Sequence, residues 1–373
     1  MRVLHVYKTY FPDSMGGIEQ VLLQLTTGLA ARGVENRIVV LSQCADPAIL
    51  VRPEAEVHRY PVTAQLASNP VSWQAMRSYG AQLDWADVVH YQFPWPFADL
   101  MHLMRKVHKP SVATYQSDIV RQKRLMRLYR PMMDRFLDAM DLVVATSPDY
   151  LGTSSVLSQL RRQPMVIPNG LDEASCPPAH ASLVERWRSE LGEGFFLFVG
   201  VLRYYKGLET LVQAAAKVPA LVVIAGDGPE QERLRRMVER AALRNIRFLG
   251  HVTNDDKAAL LQLSRAFVFP SHLRSEAFGM SLIEAAMYAR PMISCEIGSG
   301  TSYINLDGET GLVVPPEAPD ALAHAMLQVM KQPERAARMG LAARVRYERL
   351  FTGEQMASAY HAVYQRLLTK SPP

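Results

Sequence analysis

Short apolar runs and longer amphipathic stretches alternate along the chain. "RVLHVY", "RIVVLS", "DVVHYQ", "SVATYQ" and "LVVATS" are continuous and rich in β-branched residues, as strands buried on both faces are. Between the first two lies "IEQVLLQLTTGLAARG", where Ile18, Val21, Leu22, Leu25 and Leu29 recur at helical spacing. Such alternation predicts βαβ units and a mostly parallel sheet covered on both faces. The pattern breaks at "VIPNGLDEASCPP", residues 166–178, whose Asn-Gly and paired prolines read as a linker. It then restarts: "FFLFVG", "ALVVIAG", "IRFLG", "AFVFPS" and "PMISC" predict strands, with "GLETLVQAAAKV", "PEQERLRRMVERAAL" and "KAALLQLS" as the helices between them. After about residue 317 the strands stop and only helical stretches follow.

The predicted fold class is α/β: two Rossmann-like doubly wound domains facing a cleft, with C-terminal helices. The expected boundaries are 1–172 for an N-terminal domain, 173–351 for a C-terminal domain, and 352–373 for a last helix packing back on the first. Ligands of such folds bind beyond the carboxyl ends of the strands, so the strand-to-helix loops are where chemistry is expected.

Composition bounds the classes of function. With 373 residues, 49% of them hydrophobic and 21% charged, disorder and fibrous repeats are excluded and two domains are the natural expectation. A net charge of +5 permits phosphates or an acidic membrane face but is too mild to argue for nucleic acid, so no nucleic-acid partner is expected. Three cysteines, Cys44, Cys176 and Cys295, form no C-x-x-C pair and fit a reducing compartment. "VLHVY" follows the N-terminal Met-Arg as a strand rather than as a secretory core, and no apolar run is long enough to span a bilayer. These features predict a cytoplasmic protein, peripheral at most on the cytoplasmic face of the inner membrane.

Two loops carry candidate chemistry. "VGVLRYYKGLETL" sets Arg203 and Lys206 between a strand and a helix, where two cations suit a diphosphate or stand as solvated loop charges. "SEAFGMSLIEA" sets Glu276 in a loop and Glu284 on the helix beginning near Met280, whose free N–H groups offer a phosphate seat. Glu284, one turn on, is placed to accept hydrogen bonds from a diol such as ribose; Glu276 can reach a group beyond the phosphate. "GDGP" at 226–229 lacks the third glycine of a dinucleotide fingerprint and reads as a turn.

"SEAFGMSLIEA", with "RYYKG" upstream, "GDGP" between and "NGLD" at the linker, closely resembles the retaining nucleotide-sugar glycosyltransferases of family 4, which have the GT-B architecture. "YKTYFPDSMGGIEQ", "SDIVRQK" and "SYINLDGETGLVVPP" look like the bacterial mannosyl- and rhamnosyltransferases that build O-antigen polysaccharides on a lipid carrier. The resemblance implies that Arg203 and Lys206 hold the donor diphosphate with the helix start at Gly279, Met280, Ser281 and Leu282. It further implies that Glu284 binds the ribose, that Glu276 contacts the transferred sugar, and that His251 and Val252 lie at the base. Gly16 and Gly17 would approach donor or acceptor, or form a tight turn needed only for folding. The implied partners are a nucleotide-sugar donor, GDP-linked by resemblance, and a lipid-linked saccharide acceptor.

One departure stands out. Relatives commonly carry a histidine after the fourth strand, where this chain has Gln116 in "ATYQSDIV". Glutamine positions a sugar but cannot move a proton. Asp118 orients the acceptor or caps the following helix, and Arg121 falls in the same sugar and acceptor region. The mechanism implied is direct transfer through an oxocarbenium-like transition state, with the leaving diphosphate stabilised by Arg203, Lys206 and the helix dipole. It requires no cofactor and no metal; there is no D-x-D, and Asp255-Asp256 suits a helix start. A nucleotide-sugar epimerase, a phosphorylase-like enzyme and a non-catalytic nucleotide-sugar-binding partner are the alternative readings. Residues 121–136, "RQKRLMRLYRPMMDRF", mix six basic residues with Leu125, Leu128, Met132 and Phe136, either a membrane-surface helix or a core-facing one with a solvated basic side, interrupted at Pro131 in both readings.

Overall fold

The structure is a computed structural model that describes residues 1–66, 69–119 and 123–370. Its contacts divide the chain into two compact units, residues 1–170 together with the last helix from Gly353, and Leu171–Thr352.

The first unit contains strands β1 (Arg2–Val6), β2 (Glu35–Ser42), β3 (Ile49–Val51), β4 (Glu56–Pro61), β5 (Ala64–Leu66), β6 (Asn69–Val71), β7 (Val88–Phe93), β8 (Ser111–Tyr115), β9 (Leu142–Ala145) and β10 (Met165–Val166). Eight of them form one sheet in the order β10-β9-β8-β7-β1-β2-β4-β3, parallel except for β3, while β5 and β6 pair separately. Consecutive residues Val3 and Leu4, Val88 and Val89, and Val112 and Ala113 are all fully buried, so both faces of the central strands are covered. Each such Val or Leu contributes roughly 1.5–3 kcal/mol.

One group of buried polar residues ties the last helix to this core. The His90 imidazole meets the Thr114 hydroxyl at 2.7 Å through Nε2 and the Tyr364 hydroxyl at 2.7 Å through Nδ1, and Thr114 meets Tyr360 at 2.6 Å. Both tyrosines belong to the last helix, Gly353–Lys370, which also packs against the helix Gly17–Ala30. A fully buried hydrogen-bonded network of this kind specifies one seat for that helix.

The helix Lys123–Ala139 runs through Pro131 without a break, contrary to the interruption read from the sequence. A proline inside a helix costs about 3 kcal/mol. Met133, Phe136 and Leu137 are almost fully buried beyond it, and the Tyr129 hydroxyl donates to Asp99 before it, so packing on both sides holds the helix together. Among the described residues no helix is long and apolar enough to cross a membrane.

The second unit is a six-stranded parallel sheet of β11 (Phe196–Val199), β12 (Val222–Ala225), β13 (Ile246–Gly250), β14 (Ala266–Phe269), β15 (Met292–Cys295) and β16 (Gly311–Val314). Its order, β13-β12-β11-β14-β15-β16, reverses direction between β11 and β14. The loops leaving these two strands therefore flank the topological switch point, the usual ligand position in open α/β sheets.

Candidate functional site

The loop after β11 is shaped by a 3₁₀ turn, Tyr204–Lys206, and closed by Gly207 at φ +65°. A Cβ on Gly207 would lie 1.9 Å from the Pro270 carbonyl oxygen, so the main chains of the two switch-point loops approach as only glycine permits. Lys206 is buried beneath this crossing, and its ammonium group is ion-paired with Glu276. Glu276 also accepts from the Ser271 hydroxyl at 3.3 Å, and Lys206 Nζ sits 4.6 Å from the centre of the Phe269 ring. Arg203 is exposed and has no ion pair among the described residues. It lines a cavity of about 60 Å³ with Gly207, Glu209, Glu230, Arg233 and His272. Lys206, Glu276 and Glu284 do not line it.

After β14 the chain turns through Gly279, at φ +99°, into the helix Met280–Met287. Leu282 N–H bonds back to the Gly279 carbonyl at 2.9 Å, and Met280 and Ser281 supply first-turn N–H groups that have no acceptor within the helix. Glu284 follows one turn later. Its Oε1 accepts from Lys257 Nζ at 2.6 Å, with the two side chains only 13% and 15% exposed. Burial works to lower the Lys257 pKa, but the charge and hydrogen bond of Glu284 outweigh it and the net shift is upward.

Lys257 stands on the helix Asn254–Leu263, whose start is fixed by a reciprocal capping box between Thr253 and Asp256. Asp256 also accepts from the Trp187 indole at 2.9 Å, so this acidic pair is absorbed by the helix start and its packing. Just before it, His251 is exposed and Val252 rests against the core.

In the first unit, Gln116 follows β8 and is 5% exposed. Its Nε2 donates to Gln92 Oε1 at 2.9 Å, and its Oε1 accepts from Asn169 Nδ2 at 3.3 Å. Both ends of the amide are thereby held. Asp118 Oδ1 accepts from the hydroxyls of Tyr115 at 2.9 Å and Ser154 at 3.0 Å, and its N–H donates to the Tyr150 hydroxyl at 2.5 Å. Gly16 is the N-cap of the helix that begins at Gly17. The Glu19 carboxylate folds back over Gly16, where a Cβ would meet it at 2.4 Å, and accepts from the Thr9 hydroxyl at 2.7 Å. Arg121 lies outside the described residues.

The second unit thus gathers Arg203, Lys206, Glu276, the helix start at 279–282 and Glu284 around one switch point, and the first unit gathers Gln116 and Asp118 beyond β8. Lys257, Gln92, Asn169 and Glu19 escape sequence reasoning. Lys257 and Glu284 are 27 positions apart in the sequence, Gln92 reads as the end of a strand, and Asn169 reads as a linker turn.

Residues 15–175 match the family described as Glycosyltransferase Family 4, and residues 182–346 match Glycosyl transferases group 1. The D-rhamnosyltransferase WbpZ of Pseudomonas aeruginosa is 51% identical over 94% of this chain and 92% of its own length. The O-antigen chain mannosyltransferase C of Escherichia coli is 44% identical over 99% of both. Among solved structures, Anabaena Alr3699/HepE in complex with UDP-glucose superposes with a TM-score of 0.80 at 17% identity, covering 98% of this chain and 100% of that one. The two Rossmann-like units are those of the GT-B fold, and the chain belongs to the group 1 glycosyltransferases of family 4.

Proposed function

We propose that this glycosyltransferase takes a mannose- or rhamnose-type hexose from a GDP-linked donor and passes it, with retention of anomeric configuration, to a lipid-linked saccharide in O-antigen assembly. The names of the two relatives above support the sugar and the product class. The observation that carries the reading is the convergence of Lys206, Glu276 and the start of the helix Met280–Met287 on the switch point between β11 and β14.

On this reading Arg203 and Lys206 neutralise the donor diphosphate with the N–H groups of Met280 and Ser281. Glu284 accepts from the ribose diol, Glu276 from hydroxyls of the hexose, and the main chain at His251 and Val252 meets the base. Gly16 and Gly17 leave room for the donor or acceptor, and Gln116 and Asp118 position sugar hydroxyls. The bond between the anomeric carbon and the diphosphate oxygen breaks as the acceptor oxygen attaches to the same carbon. The acceptor proton passes to the departing phosphate oxygen, so no side chain acts as nucleophile or general base. The cations and the helix start supply the charge stabilisation, and no metal takes part. The helix Lys123–Ala139, with Arg127, Arg130 and Arg135 and with Leu128 82% exposed, rests on an anionic membrane surface where the acceptor lipid is held.

Thermal unfolding with GDP, UDP, GDP-mannose, GDP-rhamnose and UDP-glucose, each with EDTA and with Mg²⁺, tests the donor site by mass action. A GDP-sugar should raise the melting temperature most, and equally in EDTA. Turnover on a synthetic lipid-linked saccharide, with the anomeric configuration of the product read by NMR, tests the rest. Preference for UDP sinks the base assignment, loss of turnover in EDTA sinks the metal-free scheme, and an inverted product sinks retention.

A further inference from the structure

Lys257, paired with Glu284, has no part in the scheme above. Glu284 is one of the few carboxylates of the second unit with little access to water, and one of its oxygens is taken by a lysine from a different helix. That lysine is not a chance neighbour. Its helix is pinned by the Thr253–Asp256 box and by Trp187, and Lys257 N–H bonds the Thr253 carbonyl at 2.9 Å, so the stem starts from a fixed point. The Tyr288 hydroxyl, one turn beyond Glu284, donates to the Cys176 carbonyl at 3.0 Å and so ties the helix carrying Glu284 to the segment 176–177. Both ends of the pair are therefore mounted on rigid elements.

We propose that Lys257 is a positioning residue for nucleoside recognition: it occupies Oε1 of Glu284 and turns Oε2, which has no hydrogen-bond partner among the described residues, toward the 2′- and 3′-hydroxyls of the donor ribose. The inference rests on the reading that Glu284 meets the ribose. A carboxylate with one oxygen already held has lost most of its rotational freedom, so a diol finds its acceptor in place rather than ordering it on binding. The ribose hydroxyls then donate to a carboxylate, and a hydrogen bond to a charged acceptor is about twice as strong as one to a neutral acceptor. Lys257 thereby sets how well the enzyme distinguishes ribonucleotides from deoxyribonucleotides without touching the ligand.

The test is the affinity ratio of GDP to 2′,3′-dideoxy-GDP, and of UDP to 2′,3′-dideoxy-UDP, by calorimetry on the full chain. Hydrogen bonds to a charged group make the wild-type ratio about tenfold or more. Lys257→Met should collapse it to near unity while Lys257→Arg keeps most of it. If Lys257→Met does not reach a folded state by circular dichroism, Lys257→Gln, whose shorter side chain draws its N–H donor back from Glu284, carries the test and should lower the ratio at least threefold, by about the worth of one hydrogen bond. A folded Lys257→Met or Lys257→Gln with the wild-type ratio overturns the proposal, because a merely structural lysine would change both affinities together. Glu284→Gln separates the two levels: if it leaves the ratio unchanged, or if the wild type shows no discrimination, the ribose reading itself fails whatever Lys257 does.

Discussion

Gly207→Ala is expected to disable the proposed donor site through the backbone alone. Two costs add at this position. An alanine at φ +65° sits in the left-handed region, at roughly 1–2 kcal/mol. Its Cβ would also stand 1.9 Å from the Pro270 carbonyl oxygen, against an ordinary carbon–oxygen contact of about 3.3 Å, so two main-chain segments must part. Overpacking of this kind costs about 1–3 kcal/mol, which brings the total to roughly 2–5 kcal/mol. The control is Gly308→Ala in the same unit. Gly308 has φ +73°, and the nearest atom to an added Cβ is Arg335 Nη2 at 3.9 Å, so it incurs the backbone cost without the collision. For a unit of this size each kcal/mol lowers the melting temperature by about 2–4 °C, so Gly207→Ala should melt several degrees below Gly308→Ala in scanning calorimetry. The parted segments are those that hold Lys206 and Glu276, so the nucleotide-induced shift should vanish in Gly207→Ala and persist in Gly308→Ala. Equal melting temperatures, or a full nucleotide shift in Gly207→Ala, refute the reasoning.

Three further outcomes follow from the same geometry. Lys206→Met leaves Glu276 buried without its partner and should destabilise the second unit by about 3–5 kcal/mol, whereas Lys206→Met with Glu276→Leu should recover most of that in urea unfolding while donor binding stays lost; a double variant no more stable than the single one contradicts this. Burial lowers the pKa values of His5 and His102 to about 4, so between pH 6.5 and 4 the unfolded chain binds more protons and the first unit loses stability as pH falls. Asp99, raised by burial to about 8, opposes this by taking up its proton in the folded state; in Asp99→Asn the unfolding free energy from urea titration should therefore fall from pH 7 to pH 5 by about 2 kcal/mol for each ring, and an unchanged free energy refutes the assignment. Gln92→Leu releases one end of the Gln116 amide and should slow transfer while leaving the nucleotide-induced melting shift intact; turnover equal to wild type removes Gln116 from sugar positioning.

The alternation of strand and helix was legible because parallel strands covered on both faces carry uninterrupted apolar runs. Every run singled out by that criterion, from "RVLHVY" to "PMISC", contains a strand. The segments that escaped it are those whose pairing depends on polar residues. β4 carries His58 and Arg59, and the buried Arg59 is matched by Asp13 at 2.7 Å, a partner 46 positions away, and by the carbonyls of Cys44 and Pro47. β3, β5, β6 and β10 are only two or three residues long, too short for any period to declare itself. Pro131 shows the opposite failure: a local rule was overridden by the burial of Phe136 and Leu137. At the site, the residues in strand-to-helix loops were legible, because topology alone sends such loops to the switch point. Their partners on other elements were not. Lys257 meets Glu284, and Gln92 and Asn169 meet Gln116, only after separate elements have packed, and nothing in a local pattern marks them.

The two lysine–glutamate pairs bear on how the site would work. Both glutamates of "SEAFGMSLIEA" are already matched with a lysine, so before substrate arrives the attraction for an anion comes from other groups, among them Arg203 and the helix start, the latter equivalent to about half a positive charge. On the proposed reading an arriving diphosphate meets the exposed Arg203 first, because Lys206 is engaged. To turn Lys206 toward phosphate, the donor must offer Glu276 something in exchange, since a buried carboxylate stripped of its partner is costly. Hydroxyls of the hexose can do so and a bare nucleotide cannot. A nucleotide sugar should therefore bind more tightly than the corresponding nucleotide diphosphate. The same exchange runs backward after transfer: once the hexose has left, Glu276 draws Lys206 back, the diphosphate loses a cation, and product release is favoured by the pair that helped to hold the substrate.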